Sequence, residues 1–213
     1  MVNMSDLYQT KEWGSLPAME RAYLLPTIEG IREGCIVSTK QVPNIHSLEY
    51  CLNQKGLKYH KKESIVIASA NEEFLEKIIK ELESMNIAHS FKGLDKKADK
   101  IIKEIEIGYH KNMGEFLGYP KCCTNGFIKS TLKRKYASNE WFKKAAKACI
   151  KGKYDPLFDY IFHVPHSIDC KKSLRLCKDI KECLECYDKK AAENLRIFNR
   201  GHLEKKVRKC TTT

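Results

Sequence analysis

Residues 64–92 read SIVIASANEEFLEKIIKELESMNIAHSFK, and the way this stretch divides decides the fold. Its first part, SIVIASA (64–70), is rich in β-branched and apolar residues and reads as a strand. Asn71 is a good N-cap, two glutamates follow it, and Phe74, Ile78, Ile79, Leu82 and Met85 recur at helical spacing. A helix over 71–85 is therefore expected, with one apolar face. The closing IAHSFK (87–92) then reads as a further strand.

Working outward toward the N-terminus, CIVSTK (35–40) and LKYHKK (57–62) read as strands, with a helix from about Ile45 to Gln54 between them. The resulting order, β-α-β-β-α-β, is the ferredoxin-like arrangement, a four-stranded antiparallel sheet with both helices on one side. The expected fold class is α+β, with a ferredoxin-like domain over 33–95 followed by a mostly helical, basic, cysteine-rich domain over 96–213. The fold decides little about function. The sheet also lacks the paired aromatics that stack RNA bases.

Ahead of the sheet, residues 1–32 read as a helical arm, with Ser5 and Ser15 as caps and Pro17 and Pro26 as first-turn residues. Trp13, Leu16, Met19, Tyr23 and Leu24 are its candidate partner-docking side chains. The same side chains would serve equally well for packing onto the arm's own domain.

Charge separates the two halves of the 213-residue chain. The formal net charge is +12, yet residues 1–91 carry 10 Lys and Arg against 12 Asp and Glu, while residues 92–213 carry 29 against 15. The basic excess lies wholly in the second half and points to a polyanionic partner. No apolar run approaches the ~20 residues that span a bilayer, and the N-terminus lacks a secretory pattern. A soluble, cytoplasmic protein without membrane partners is expected, in which the ten cysteines are thiols or ligands rather than disulfides.

Beyond Lys96 the pattern is helical. A helix from about Asp99 to Leu117 ends at a Gly118 turn, and Pro120 opens the next one, PKCCTNGFIKSTLKRKYAS. Cys122 and Cys123 then lie in a first turn, where free N–H groups and the helix dipole favour thiolates. Adjacent helical positions diverge by about 100°, so both reach one metal only if that turn is distorted. Further ligands are offered by HVPHSIDCKKSLRLCKDIKECLECYDKK (163–190). With Ser167 as N-cap and one long helix from Ile168 to about Asn199, its four cysteines point in different directions. Cys177 falls on the apolar stripe, and Cys183 and Cys186 face away from it. His166 and Cys170 flank the helix start. A loop bringing them to Cys122 and Cys123 would hold a zinc ion or three corners of an iron–sulfur cluster.

The segment FLGYPKCC, with Phe127 four positions after Cys123, and the later HVPHSIDCKKS resemble a family of archaeal proteins, domain of unknown function 483, over roughly residues 95–180. The family pattern often has a cysteine where His166 stands. Some members are similar to the accessory protein of tRNA-dependent cysteine biosynthesis in methanogens. What the resemblance implies is an adaptor that binds tRNA and holds together the tRNA-charging and tRNA-converting enzymes of that route.

The basic half supports a nucleic-acid surface independently. Lys129, Lys133, Arg134, Lys135, Lys143, Lys144 and Lys147 are interleaved with Tyr136, Trp141 and Phe142. Such a stripe neutralises phosphates regardless of sequence, and a solvated lysine-rich face is the plainer alternative. Phosphate-binding loops, Ser-His-Asp order and paired acid motifs are missing from the sequence, which counts against common hydrolases and NTPases. The expected function is a tRNA-associated accessory protein, not an enzyme. The alternative is a stand-alone metal- or thiol-dependent enzyme in which Cys122 or Cys123 makes a bond.

Overall fold

The computed structural model describes residues 7–93, 96–132 and 137–211. Helix α1 (Lys11–Ser15) is capped by Thr10, whose hydroxyl accepts the Trp13 N–H at 3.1 Å. Ser15 is the last residue of that helix rather than a cap, and Ser5 lies outside the described residues. Helix α2 (Ala18–Ile28) follows Pro17 and contains Pro26 in its last turn. The chain reverses at Gly30, with φ of 72°, and enters strand β1 (Gly34–Ser38). Helix α3 (Ile45–Gln54) is capped by Asn44. Strands β2 (Lys58–Lys62) and β3 (Ile65–Ser69) form a hairpin closed at Glu63, the one described non-glycine residue with positive φ.

These strands make a three-stranded antiparallel sheet in the order β1-β3-β2, with Ile67 of β3 opposite Ile36 on one side and His60 on the other. The expected fourth strand, 87–92, is corrected. Helix α4 (Glu72–Ser90), capped by Asn71 as predicted, runs on through that stretch to Ser90. Two interactions favour helix there. The extended α4 packs along helix α5 (Lys96–Phe116), and the β1 edge that a fourth strand would pair with is covered by α2, where Glu20 accepts the Ser38 N–H at 3.3 Å.

Burial on the sheet departs from the ferredoxin-like expectation in a second way. Alternate residues of a strand face opposite sides, and here both sides are buried. Cys35, Val37, Val66 and Ala68 join a core with Leu48 and Leu52 of α3. Ile67, with Ile36 and Ile65, joins a second core with Leu75 and Ile78 of α4 and with Met113 and Phe116 of α5. The two helices therefore cover opposite faces of the sheet.

After a turn at Gly118 (φ 69°) come α6 (Lys121–Leu132), α7 (Ala137–Ile150), a 3-10 turn (Pro156–Tyr160), α8 (Lys171–Tyr187) and α9 (Lys189–Thr211). The single long helix expected from 168 is corrected at both ends. It starts after Cys170, which occupies the N-cap position in place of Ser167, and breaks at Asp188. The break has a tertiary cause. Asp188 caps α9 by accepting the Ala191 N–H at 2.9 Å and also accepts from Arg21 Nε at 2.6 Å and from the Trp13 indole at 2.9 Å.

The N-terminal segment is thereby built into the molecule. Trp13, Leu16 and Leu24 are buried in a core shared with the sheet, α8 and α9, and Met19 packs against it. The Tyr23 ring lies 4.9 Å from Phe162. Trp13, Leu16 and Leu24 lack the exposure that partner docking requires, because burying them inside the chain stabilises the junction of α8 and α9, whereas Met19 and Tyr23 are half-buried. A further core joins Trp141 and Ala145 of α7 to Phe158, Cys177 and Leu203. Among the described residues no helix is long and apolar enough to cross a membrane.

Candidate metal centre

Two helix starts and one loop assemble the site. Pro120 ends the Gly118 turn, and its carbonyl accepts the Cys123 N–H at 2.8 Å, which fixes Cys122 and Cys123 in the first turn of α6. Side chains of a helix tilt toward its N-terminus, so in a first turn neighbouring residues can lean together over the open end. The two sulfurs are accordingly 4.0 Å apart. The distortion expected for their convergence is unnecessary.

Cys170, at the start of α8, completes a triangle of sulfurs, 3.8 Å from Cys122 and 3.6 Å from Cys123. His166 reaches in from the loop before α8, with Nδ1 3.4 Å from the Cys123 sulfur. The four ligand atoms all lie within 4.8 Å of one another, a group able to hold a metal ion. Cys123 and Cys170 are buried, Cys122 is half-buried and His166 is exposed, so the site lies at the rim of the helix ends.

The loop's approach depends on a glycine. A Cβ on Gly126, one turn into α6, would stand 2.8 Å from the Cβ of His166. Gly126 was passed over in the sequence, where its signal is a small residue one helical turn from Cys122 and Cys123.

One further residue was missed as a partner. Ser173 is fully buried, with its hydroxyl 3.0 Å from the Cys123 sulfur and 2.8 Å from Nε2 of His163. Its signal is the spacing Cys170-x-x-Ser173, which puts both in the first turn of α8. Support of this kind, behind a sulfur ligand, orients the ligand and tunes its basicity.

The electrostatics differ between the thiols. Burial pushes the Cys123 thiol up to about 12, with neighbouring Cys170 adding to the rise and the Ser173 hydroxyl opposing it. The lowered value expected at this position is reversed, because desolvation outweighs the helix start. Burial acts against ionisation of Cys170 too, but hydrogen bonds from the Ser173 side chain and backbone and from Cys123 and Cys122 bring it below the usual thiol value. Burial also holds His163 neutral, down to about 3, with the Arg32 guanidinium acting in the same direction.

The other predicted site residues lie elsewhere. Lys129 is exposed on α6, and Lys143, Lys144 and Lys147 are exposed on one side of α7. Lys144 shares a small cleft with Gly126 and His166, which brings the basic stripe beside the cysteine cluster. Lys133, Arg134 and Lys135 lie outside the described residues. Cys177 is buried as its stripe position predicts. Cys183, expected to face away, is buried in the core that contains Trp13, while Cys186 is exposed.

Residues 94–196, which include all four candidate ligands, match the model of a family described as a protein of unknown function, DUF483. No curated protein and no solved structure matches the chain.

Proposed function

We propose, from the premise that residues 94–196 belong to the DUF483 family, that the protein is a non-enzymatic, RNA-associated accessory protein whose Cys122, Cys123, His166 and Cys170 hold one structural zinc ion. The observation that carries this is the spacing of the three sulfurs, 3.6 to 4.0 Å, with the His166 Nδ1 3.4 Å from Cys123 and all four ligand atoms within 4.8 Å of one another. Zinc–sulfur bonds of about 2.3 Å meeting at the tetrahedral angle put sulfurs about 3.8 Å apart, and a nitrogen ligand sits slightly closer. An iron–sulfur cluster spreads its protein ligands over several irons and needs wider separations, so a single ion is the better fit.

Four protein donors leave no open position for a substrate, which is the mark of a structural site and argues against the stand-alone enzyme. The metal would tie the start of α6 to the start of α8. The exposed lysines of α6 and α7 would then meet tRNA phosphates on a rigid surface. The tRNA-charging and tRNA-converting enzymes of cysteine biosynthesis are the partners proposed with it. Their docking surface must be sought away from the buried Trp13, Leu16 and Leu24.

Metal analysis of protein purified without oxygen tests the first part. One zinc per chain, without iron or acid-labile sulfide and without visible absorption, is the expected result. Iron with sulfide, or protein free of metal, would overturn it. The second part requires tRNA binding that weakens steeply with salt, and salt-independent binding would remove the RNA role.

A further inference from the structure

Helices α7 and α9 pack together beside an open groove of about 430 Å³. Trp141 and Phe142 of α7 line it, as do Phe198, Asn199 and His202 of α9 and the loop 161–164. His202 sits between two phenylalanines, its ring centroid 5.8 Å from that of Phe142 and 4.7 Å from that of Phe198. Phe198 keeps 48% of its surface exposed, although Leu195 and Leu203 of the same helix are buried, and His202 is exposed as well. Aromatic surface left in water inside a concave site marks a place where something else packs.

The polar groups narrow what that is. Asn199 spends both amide protons on backbone carbonyls, those of Asp159 at 2.9 Å and of Ile161 at 3.0 Å. Its orientation is thereby fixed, and what it can offer a ligand is the acceptor Oδ1. No Asp or Glu lines the groove, whereas Lys206 does. At about 100° per residue, Lys205, Lys206 and Lys209 continue the stripe of α9 that Phe198 and His202 begin, and Glu193 and Glu204 lie on the opposite side. Trp141 borders both this groove and the cleft that holds Lys144, so cations stand on both sides of α7.

We infer that the groove takes one unpaired nucleobase from a single-stranded segment of RNA, stacked on Phe198 and His202, with its pairing edge toward Asn199 Oδ1 and the adjoining phosphates on Lys205, Lys206 and Lys209. The occupant follows from the combination of exposed aromatic faces, one fixed acceptor and a rim of cations. Every base has a flat face and an N–H donor on its pairing edge, and both are free only when the base is unpaired and unstacked. The basic rim neutralises the phosphates that follow it. The inference rests on the RNA reading above and adds to it the place where a strand leaves the duplex.

Fluorescently labelled hexaadenylate and a blunt RNA duplex, each titrated into the full-length protein over a range of salt, test it. Phe198→Ala, at a side chain exposed enough to leave the fold intact, should weaken hexaadenylate binding about tenfold. The salt slope and the affinity for the duplex should not change, and Phe198→Trp should restore hexaadenylate binding. Hexaadenylate affinity unaffected by Phe198→Ala, or a loss shared equally by the duplex, would overturn the inference and leave the RNA reading standing. A protein that binds neither RNA would remove both.

Discussion

The indole nitrogen of Trp13 donates to the carboxylate of Asp188 at 2.9 Å, across 175 positions of the chain. The same carboxylate takes Arg21 Nε at 2.6 Å, with both members of the ion pair about 8% exposed. Burial would raise the Asp188 carboxyl, but hydrogen bonds from Arg21, Ala191 and Trp13 hold it below the usual carboxylate range. The first helices and the break between the last two are therefore held by one anion.

Removing that anion should destabilise the whole protein. Asp188→Ala leaves Arg21 buried without its partner, at a cost of roughly 3–5 kcal/mol. A chain of this length should then melt roughly 10 °C lower. Trp13→Ala should cost a similar amount through the cavity it leaves. Thermal unfolding followed by circular dichroism measures both, and an unchanged melting temperature for Trp13→Ala would return that residue to the role of a docking side chain.

The cysteine cluster predicts a graded response to substitution. Cys170→Ser together with Cys122→Ser should abolish zinc retention. Gly126→Ala should leave the helices intact but push His166 back, since its Cβ would meet that of His166 at 2.8 Å. A fall in zinc affinity of about tenfold, or about 1.4 kcal/mol, is expected. Competition with a chromophoric chelator measures it, and an unaffected constant would show that His166 does not ligate.

Zinc affinity should rise with pH. Without metal the Cys123 thiol is protonated up to about 12, so zinc must displace its proton. Binding should release protons at neutral pH and weaken steadily on acidification. Calorimetry in buffers of different ionisation enthalpy counts the protons, and a count of zero would exclude thiolate ligation by Cys123.

Acid should also destabilise the fold through His163. Its folded-state value, near 3, lies below the ordinary 6.5, so the unfolded chain binds the proton first. Stability from this group is present above about 6.5 and is lost as pH falls toward 3. The His163 ring should show no titration between pH 5 and 8 by NMR, and a midpoint near 6.5 would contradict its burial.

The basic surface carries its own expectation. Reversing Lys143, Lys144 and Lys147 to Glu should reduce the slope of log affinity for tRNA against log salt by roughly 2–3 units. An unaltered slope would assign these lysines to solvent.

Much of the fold was legible wherever local chemistry decides structure. The Asn71 cap, the helix 45–54 and the hairpin strands follow from capping and period, and all are present. Tertiary context decided the remainder. The stretch 87–90 carries no strong local preference, and packing against α5 made it helical. The Asp188 break has neither glycine nor proline beside it, since its cause is Arg21 and Trp13 from the far end of the chain. At the metal centre the four ligands could be named from residue type and helix starts. Ser173 was not, because beyond its spacing from Cys170 nothing distinguishes a hydroxyl that supports a sulfur from one in solvent.

Cys122 and Cys170 stand 48 positions apart in the chain and 3.8 Å apart in space. A stretch pinned at both ends behaves as a cassette, whose interior can lengthen or shorten while its anchors stay fixed. Doubling a flexible connection within it costs only about 0.6 kcal/mol in closure entropy. Natural variants should therefore differ in length mostly inside this interval, where insertions leave the two helix starts undisturbed, and should keep near-constant spacing outside it.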